Sequence, residues 1–222
     1  MSEKVEFIPF LQPKLSSEDL IERSKAFYTE MNKRRSLRMF SDAPVPKSVM
    51  ENIIMTAGTA PSGAHKQPWT FCLISNPALK SEIRKAAEQE EYESYNGRMS
   101  EAWLKDLAKF DTDWHKPFIE TAPWIVVIFK KVYDLDNGEK KNNYYVNESV
   151  GIACGMLISA IHQAGLVTLT HTPSPMNFLT KLLERPANER PYLLLPVGYA
   201  ADNAEVPQLT RKSLEEICIS FE

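Results

Sequence analysis

The chain is most informative first in what it lacks. Cysteine occurs only at Cys72, Cys154 and Cys218, an odd number placed far apart in the 222 residues. No disulfide framework and no CxxC metal or redox pair can be built from them, and they read as buried thiols of a reducing compartment. No stretch approaches the ~18 uninterrupted apolar residues of a membrane span, and Met1-Ser2-Glu3 does not open a secretory signal. Excess positive charge is missing too: the net charge is −3, and the Lys and Arg residues are mixed with acids. That removes the electrostatic footprint of a nucleic-acid binder. Neither GxGxxG nor GxxxxGK[ST] is present, nor a GxSxG elbow, so Rossmann, P-loop and α/β-hydrolase chemistry are disfavoured. His65, His115, His162 and His171 show no HExxH spacing, and no metal site is expected. A cytoplasmic protein without membrane or nucleic-acid partners is the expectation.

What remains has the composition of one globular domain over 1–222, with 43% hydrophobic and 25% charged residues. An extended Pro-containing arm, 1–16, precedes a helix capped by Ser17 and running to about Met31. Pro46 starts a second helix, with Val49, Ile53, Ile54 and Ala57 at helical spacing and Gly58 at its end. Thr70 to Ile74 reads as a buried strand, Leu79 to about Asn96 as a charged helix, and Trp124 to Phe129 as the clearest strand. Asn147 caps an apolar run to Gln163, which Gly165 terminates; such a helix is central or lies in an oligomer interface. Leu166 to Thr170 and Tyr192 to Tyr199 complete the strands, and the irregular interleaving gives an α+β layer fold.

Two segments point at a ligand. Lys33-Arg34-Arg35-Ser36-Leu37-Arg38 offers guanidinium forks and a hydroxyl suited to phosphate. The run from Gly58 to Trp69 contains Ala60-Pro61-Ser62-Gly63-Ala64-His65, whose small side chains let backbone N–H groups approach a flat ring. Together they suit a phosphorylated planar cofactor. The alternatives are plain ones: arginines complementing the dipole of the preceding helix, and a simple turn between helix and strand.

Taken jointly, these residues resemble the nitroreductase-like flavoproteins and, within them, the iodotyrosine deiodinase (dehalogenase) family. The matching segments are Arg34 to Arg38, Thr56 to His65, Pro68 to Phe71, Ile152 to Gly155, Ala164 to Thr168, Leu195 to Tyr199 and Arg211-Lys212, which cover nearly the whole domain. The resemblance implies a nitroreductase-like FMN-binding fold, with a central mixed sheet surrounded by helices. It also implies an intertwined homodimer holding FMN at the subunit interface, with the C-terminal extension, 200–222, wrapping the partner. Animal members carry an N-terminal membrane anchor, whereas the resemblance here begins near the start of the chain. By the same resemblance Arg34, Arg35 and Arg211 hold the FMN phosphate. Ser36, Leu37, Arg38, Ser62 and Gly63 meet other parts of the flavin, with Arg38 at the pyrimidine edge. Thr172 is the catalytic hydroxyl that reaches flavin N5, and Thr170 and His171 contact the flavin from the same loop.

For the substrate, the resemblance assigns the backbone N–H of Ala64 to a phenolate oxygen, and Glu91, Tyr95 and Lys116 to an amino-acid zwitterion. Glu91 and Tyr95 fall i, i+4 on one helical face, and Lys116 returns toward them. From spacing alone the favoured reading is a solvated charged helix, and the resemblance reverses that preference. The polar segment 88–116, containing Gly97, suits an active-site lid. The implied function is FMN-dependent reductive dehalogenation of mono- and di-iodotyrosine by single-electron steps. Electrons come ultimately from NAD(P)H, through a separate reductase partner. The alternatives are a nitroreductase or quinone reductase working by hydride transfer, and a non-enzymatic halotyrosine sensor.

Overall fold

The computed structural model describes residues 6–222; the first five residues of the expected arm lie outside the described residues. The chain divides into two compact units, Met1–Arg34 and Arg35–Glu222. In the first, helix α1 spans Ser17–Lys33. Its cap is Ser16 rather than the expected Ser17: the Ser16 hydroxyl accepts from the Asp19 N–H at 3.1 Å. Two adjacent serines can both cap, and the one three residues before a free N–H wins. Glu18 and Asp19 in the first turn and Lys33 in the last complement the helix dipole. No side chain of α1 is buried, and Leu20, Ile21, Phe27 and Tyr28 are exposed.

The second unit begins its helices with α2, Lys47–Gly58, started by Pro46 as expected. There follow β1 (Trp69–Ile74), α3 (Pro77–Glu93), a π-helical turn over Ser94–Arg98, α4 (Glu101–Ala108) and α5 (Phe118–Thr121). Then come β2 (Trp124–Lys131), the hairpin β3 (Tyr133–Asp136) and β4 (Glu139–Asn142), α6 (Val146–Gln163) and β5 (Val167–Thr168). The unit ends with α7 (Asn177–Leu182), β6 (Glu189–Gly198) and α8 (Leu214–Ile217).

The sheet has strand order β1-β2-β6-β5, and every pair of named strands is antiparallel. Its one parallel element is an isolated bridge between Ser36 and Thr168. Alternate residues of β2 feed two cores. Val126 and Ile128 join Met50, Ile53 and Ala57 of α2 and Val150, Ala153, Leu157 and Ile161 of α6. Ile125, Val127 and Phe129 join Ile83 and Ala87 of α3, Phe118 and Ile119 of α5 and Leu179 of α7. Because helices cover both faces, β2 is apolar without alternation, which is why it stands out in the sequence. Each fully buried aliphatic or aromatic side chain contributes ~1.5–3 kcal/mol to this packing.

Three further sequence expectations are corrected. Asn147 lies inside α6, whose N-cap is Tyr145 in a left-handed conformation (φ 47°), while the Asn147 amide oxygen accepts from Lys130 Nζ at 2.8 Å. The strand expected over Leu166 to Thr170 pairs only at Val167–Thr168. The chain then leaves the ladder and touches β6 again where His171 and Leu194 exchange N–H···O bonds of 2.9 and 3.0 Å. The helix expected from Leu79 to Asn96 starts at Pro77, with the Asn76 side chain accepting from the Leu79 N–H, and gives way to the π turn at Ser94.

Gly198, the last residue of β6, packs against the Pro123 ring that precedes β2. A Cβ there would lie 2.5 Å from Pro123 Cδ and 3.0 Å from Cγ. Gly198→Ala is therefore expected to destabilise the protein by ~1–3 kcal/mol, the usual cost of overpacking. A denaturant midpoint unchanged by the substitution would show that the β2 and β6 ends can separate freely.

Candidate functional site

Helix α3 buries Ile83 and Ala87 against the sheet. The helical repeat carries that inward stripe on to Glu91, four residues beyond Ala87. The carboxylate is therefore not on the solvated face that charge alone suggests: its side chain is 12% exposed. Lys116, at the return of the segment from α4 to α5, is 4% exposed. Its Nζ stands 3.6 Å from Glu91 Oε2, donates to the Asp113 carbonyl, and lies 5.6 Å from the centre of the Tyr95 ring.

Tyr95 comes from the π turn, where the Met99 N–H reaches back to the Ser94 carbonyl at 2.9 Å. Its hydroxyl donates to the Thr112 carbonyl at 3.1 Å. A π turn of this kind re-aims side chains after a helix, and Tyr95 joins Glu91 and Lys116 on one cavity. That cavity measures about 240 Å³.

Arg38, Thr170, His171 and Thr172 line the same cavity, so seven sequence-predicted residues converge there. After β5 the chain keeps an extended alternation: Leu169, His171 and Pro173 are buried, while Thr170 and Thr172 are exposed. The two hydroxyls thus face outward together. The His171 ring turns inward, edge-on to Phe118 with centroids 5.6 Å apart, and its Nδ1 is 4.0 Å from Glu91 Oε1.

Arg38 also lines a second cavity of about 390 Å³, with Ser36, Lys109, Phe110 and Pro207. Arg35 donates through its guanidinium to the Pro207 carbonyl. Leu37 contributes differently: its side chain is in the core and its N–H donates to the Thr168 carbonyl at 3.2 Å. Arg34 caps α1 in the first unit, and Arg211 is exposed ahead of α8.

Ser62, Gly63 and Ala64 do not line either cavity. They form a tight 3₁₀ turn, Gly63–His65, against the start of α6. The Gly63 N–H points at Ser149 Oγ at 3.4 Å, and a Cβ on Gly63 would come within 2.9 Å of the Tyr144 carbonyl. Only glycine allows this approach. Ala64 and His65 both take positive φ, 49° and 54°, and Ala64 is exposed. The Ser62 hydroxyl accepts from the Gln67 N–H at 2.9 Å.

Sequence reasoning missed the apolar wall of the first cavity, supplied by Met99, Trp103, Leu107, Phe118 and Leu169. The Trp103, Leu107 spacing on α4 was the available signal. Burial, the largest influence on each, pushes the Glu91 carboxyl up and the Lys116 ammonium down, while their mutual attraction opposes both shifts. Burial, reinforced by the charges of Lys116 and Arg38, pushes His171 down to about 3, so the ring is neutral at physiological pH. The site is a small, partly apolar chamber with one acid, one base and a phenol at one end and exposed hydroxyls at the other.

The sequence pattern of the nitroreductase family matches residues 31–199. An iodotyrosine deiodinase of Haliscomenobacter hydrossis is 58% identical over 222 residues, covering 100% of both chains. The human iodotyrosine deiodinase 1 is 47% identical over 220 residues, covering 98% of this chain and 76% of the human protein. A crystal structure of oxidized iodotyrosine deiodinase bound to FMN and 3-iodo-L-tyrosine superposes with a TM-score of 0.75 at 28% identity, covering 88% of this chain and 98% of that one.

The lowered His171 pKa makes a stability statement. Below pH 6.5 the unfolded chain binds a proton that the folded chain refuses until about pH 3, so stability falls with acidification. Between pH 6.5 and 5 this slope should approach about 1.4 kcal/mol per pH unit. Denaturant unfolding across that window measures it, and His171→Leu should flatten it. Equal slopes in parent and variant would contradict the assignment.

Proposed function

The chain belongs to the nitroreductase family and, within it, to the iodotyrosine deiodinases, and from that membership we propose that it is an FMN-dependent reductive dehalogenase of iodotyrosines. The observation that carries the reading to the substrate is the buried Glu91–Lys116 pair with Tyr95 beside it. Opposite charges 3.6 Å apart, in a cavity also lined by Trp103 and Met99, match an ammonium and a carboxylate on one α-carbon, next to an apolar space for an aromatic ring. General flavin reduction of nitro compounds needs no such pair.

The residues present fit FMN by their chemistry. Guanidinium forks at Arg35 and Arg38, the Ser36 hydroxyl, the outward Thr170 and Thr172 hydroxyls and the N–H of the exposed residue Ala64 are the donors a phosphorylated flavin requires. Arg34, Arg35 and Arg211 would hold the phosphate, Arg38 the pyrimidine edge, Ser36, Ser62 and Gly63 other parts of the flavin, and Thr172 would stand at N5. FMN, when bound, supplies the two electrons of the reaction, taken in single-electron steps. Ser62 to Ala64 lie away from the cavity that holds Glu91 and Lys116. A second copy of the chain, presenting its own Ser62–Ala64 turn, completes the site. The exposed Tyr144, Tyr145 and Ile152 at the start of α6 support such a homodimer.

Within this site Glu91 accepts from the substrate ammonium, while Lys116 and Tyr95 donate to its carboxylate. The Ala64 N–H donates to the phenolate oxygen. The segment 88–116 acts as a lid and excludes water. In the overall reaction the carbon–iodine bond breaks, a carbon–hydrogen bond forms, two electrons and one proton are consumed, and iodide leaves. The Thr172 hydroxyl would be the catalytic residue, because a hydroxyl can both donate and accept at the edge where FMN would sit, which would favour one-electron transfer.

Two outcomes are expected. Reduced protein should release one iodide per pair of electrons from 3-iodo-L-tyrosine. Thr172→Ala should slow that release while leaving FMN content and halotyrosine affinity intact and nitroreduction unchanged or faster; a variant deiodinating at the parental rate would remove Thr172 from the chemistry.

The affinity for iodotyrosine should also be bell-shaped in pH. Binding needs ionised Glu91 and protonated Lys116, and their shifts draw the acid limb up and the alkaline limb down from the ordinary values of 4.5 and 10.5. The other groups facing the pair are Tyr95, Arg38, Asp113 and the neutral His171. Iodophenol, titrated by flavin fluorescence in parallel, shares the phenol but not the zwitterion. Both ligands share the phenol ionisation, so the ratio of their affinities isolates the zwitterion-dependent limbs, and a ratio constant with pH would refute the assignment.

A further inference from the structure

We propose that Glu88 is a positioning residue that fixes the spacing of the two charged ends of the clamp, and with it the preference for an α-amino acid over a bare phenol. The proposal rests on the deiodinase reading, since it concerns the substrate of that same site. Glu88 stands three residues before Glu91 on α3. Its Oε1 accepts two hydrogen bonds, from the backbone N–H of Lys116 at 2.7 Å and from Arg84 Nε at 2.7 Å. Arg84 in turn donates to Glu120 Oε2 at 2.8 Å, on α5, the helix that Lys116 leads into.

The geometry follows from chain connectivity. Between Glu91 and Lys116 run the π turn, α4 and an irregular return, a path that does not by itself fix the separation of its ends. Glu88 and Glu91, by contrast, are about 4.5 Å apart along one helix. Tying the Lys116 N–H to Glu88 therefore holds the Lys116 backbone at a set distance from Glu91, whatever the intervening segment does. The Lys116 carbonyl is held as well, by the Ile119 N–H at 3.1 Å. Glu88 is the charged partner in this arrangement, and a charge-assisted bond to a half-buried N–H is both stronger and more directional than a neutral one. Were Glu88 merely half of an i, i+4 pair with Arg84, its loss would change thermal stability and leave ligand selection alone.

The test uses the FMN-loaded protein with Glu88→Ala, Glu88→Gln and Arg84→Met. Glu88→Ala should raise KM for 3-iodo-L-tyrosine about tenfold, with kcat changed by less than about twofold. Iodophenol binding, read by flavin fluorescence, should not change, and amide exchange at Lys116 should accelerate. Glu88→Gln keeps an acceptor oxygen for the Lys116 N–H and should restore most of KM and of the protection. Should Glu88→Ala fail to fold, Arg84→Met carries the test, with a smaller KM rise in the same direction.

An unchanged KM, a loss shared equally by iodophenol, or a Gln variant no better than Ala would overturn the proposal. If the parent protein released no iodide, the deiodinase reading would fail. The Lys116 exchange rates would still decide the positioning role.

Discussion

One constraint organises the site: a carboxylate and an ammonium are held out of water on segments that are 25 residues apart in sequence, at Glu91 and Lys116. Burying either alone is costly, and removing one partner of such a pair strands the other. The 3.6 Å separation is longer than a hydrogen bond, and Lys116 takes its short contact from the Asp113 carbonyl instead. The pair is therefore close enough to offset part of the desolvation but not locked, which suits the proposed insertion of a zwitterion. The rest of the arrangement serves that pair. The two-sided core anchors α3 through Ile83 and Ala87, the helical repeat delivers Glu91 inward, and α5 fixes the point where Lys116 re-enters the core.

The same constraint explains why segment 88–116 is built irregularly. A continued α-helix past Ser94 would keep Tyr95 in the α-helical register; the π turn redirects the chain, and α4 restarts with the Ser100 hydroxyl accepting from the Trp103 N–H at 3.2 Å. Short, separately capped pieces bury little apolar surface of their own, and α4 has no buried residue. Elements of that kind open at low cost, which suits a segment proposed to admit a ligand and then cover it. Among the described residues no helix is long and apolar enough to cross a membrane.

The parts of the fold legible in the sequence are those where burial is two-sided and punctuation is strong: β2, β1 between Pro68 and Pro77, and α2 between Pro46 and Gly58. The β3–β4 hairpin was missed although its turn, Asn137-Gly138 with φ of 50° and 86°, is a strong hairpin signal. Its flanks, Tyr133–Asp136 and Glu139–Asn142, are mostly polar and exposed, so no apolar alternation marks them. The shortened β5 reflects tertiary pairing that local pattern does not encode. At the site, spacing alone could not separate Glu91 from the surface acids around it. Its phase relative to Ile83 and Ala87 carries that information, and the family resemblance supplied the identities of Tyr95, Lys116 and Thr172. Ser62 to Ala64 show the limit of one chain: their turn is strained and specific, yet the cavity they are assigned to lies elsewhere in the same copy.

Glu91 and Lys116 are proposed to form a receptor for a zwitterion. That role is tested most directly by calorimetric titration of the FMN-loaded protein with three ligands that share one iodophenol ring. These are 3-iodo-L-tyrosine, the analogue lacking its carboxylate, and the analogue lacking its ammonium. Each deletion is expected to weaken binding by about one to two decades, the loss of a charge-assisted contact. Equal affinity for all three would mean that the buried pair is structural and the substrate is chosen by its ring alone.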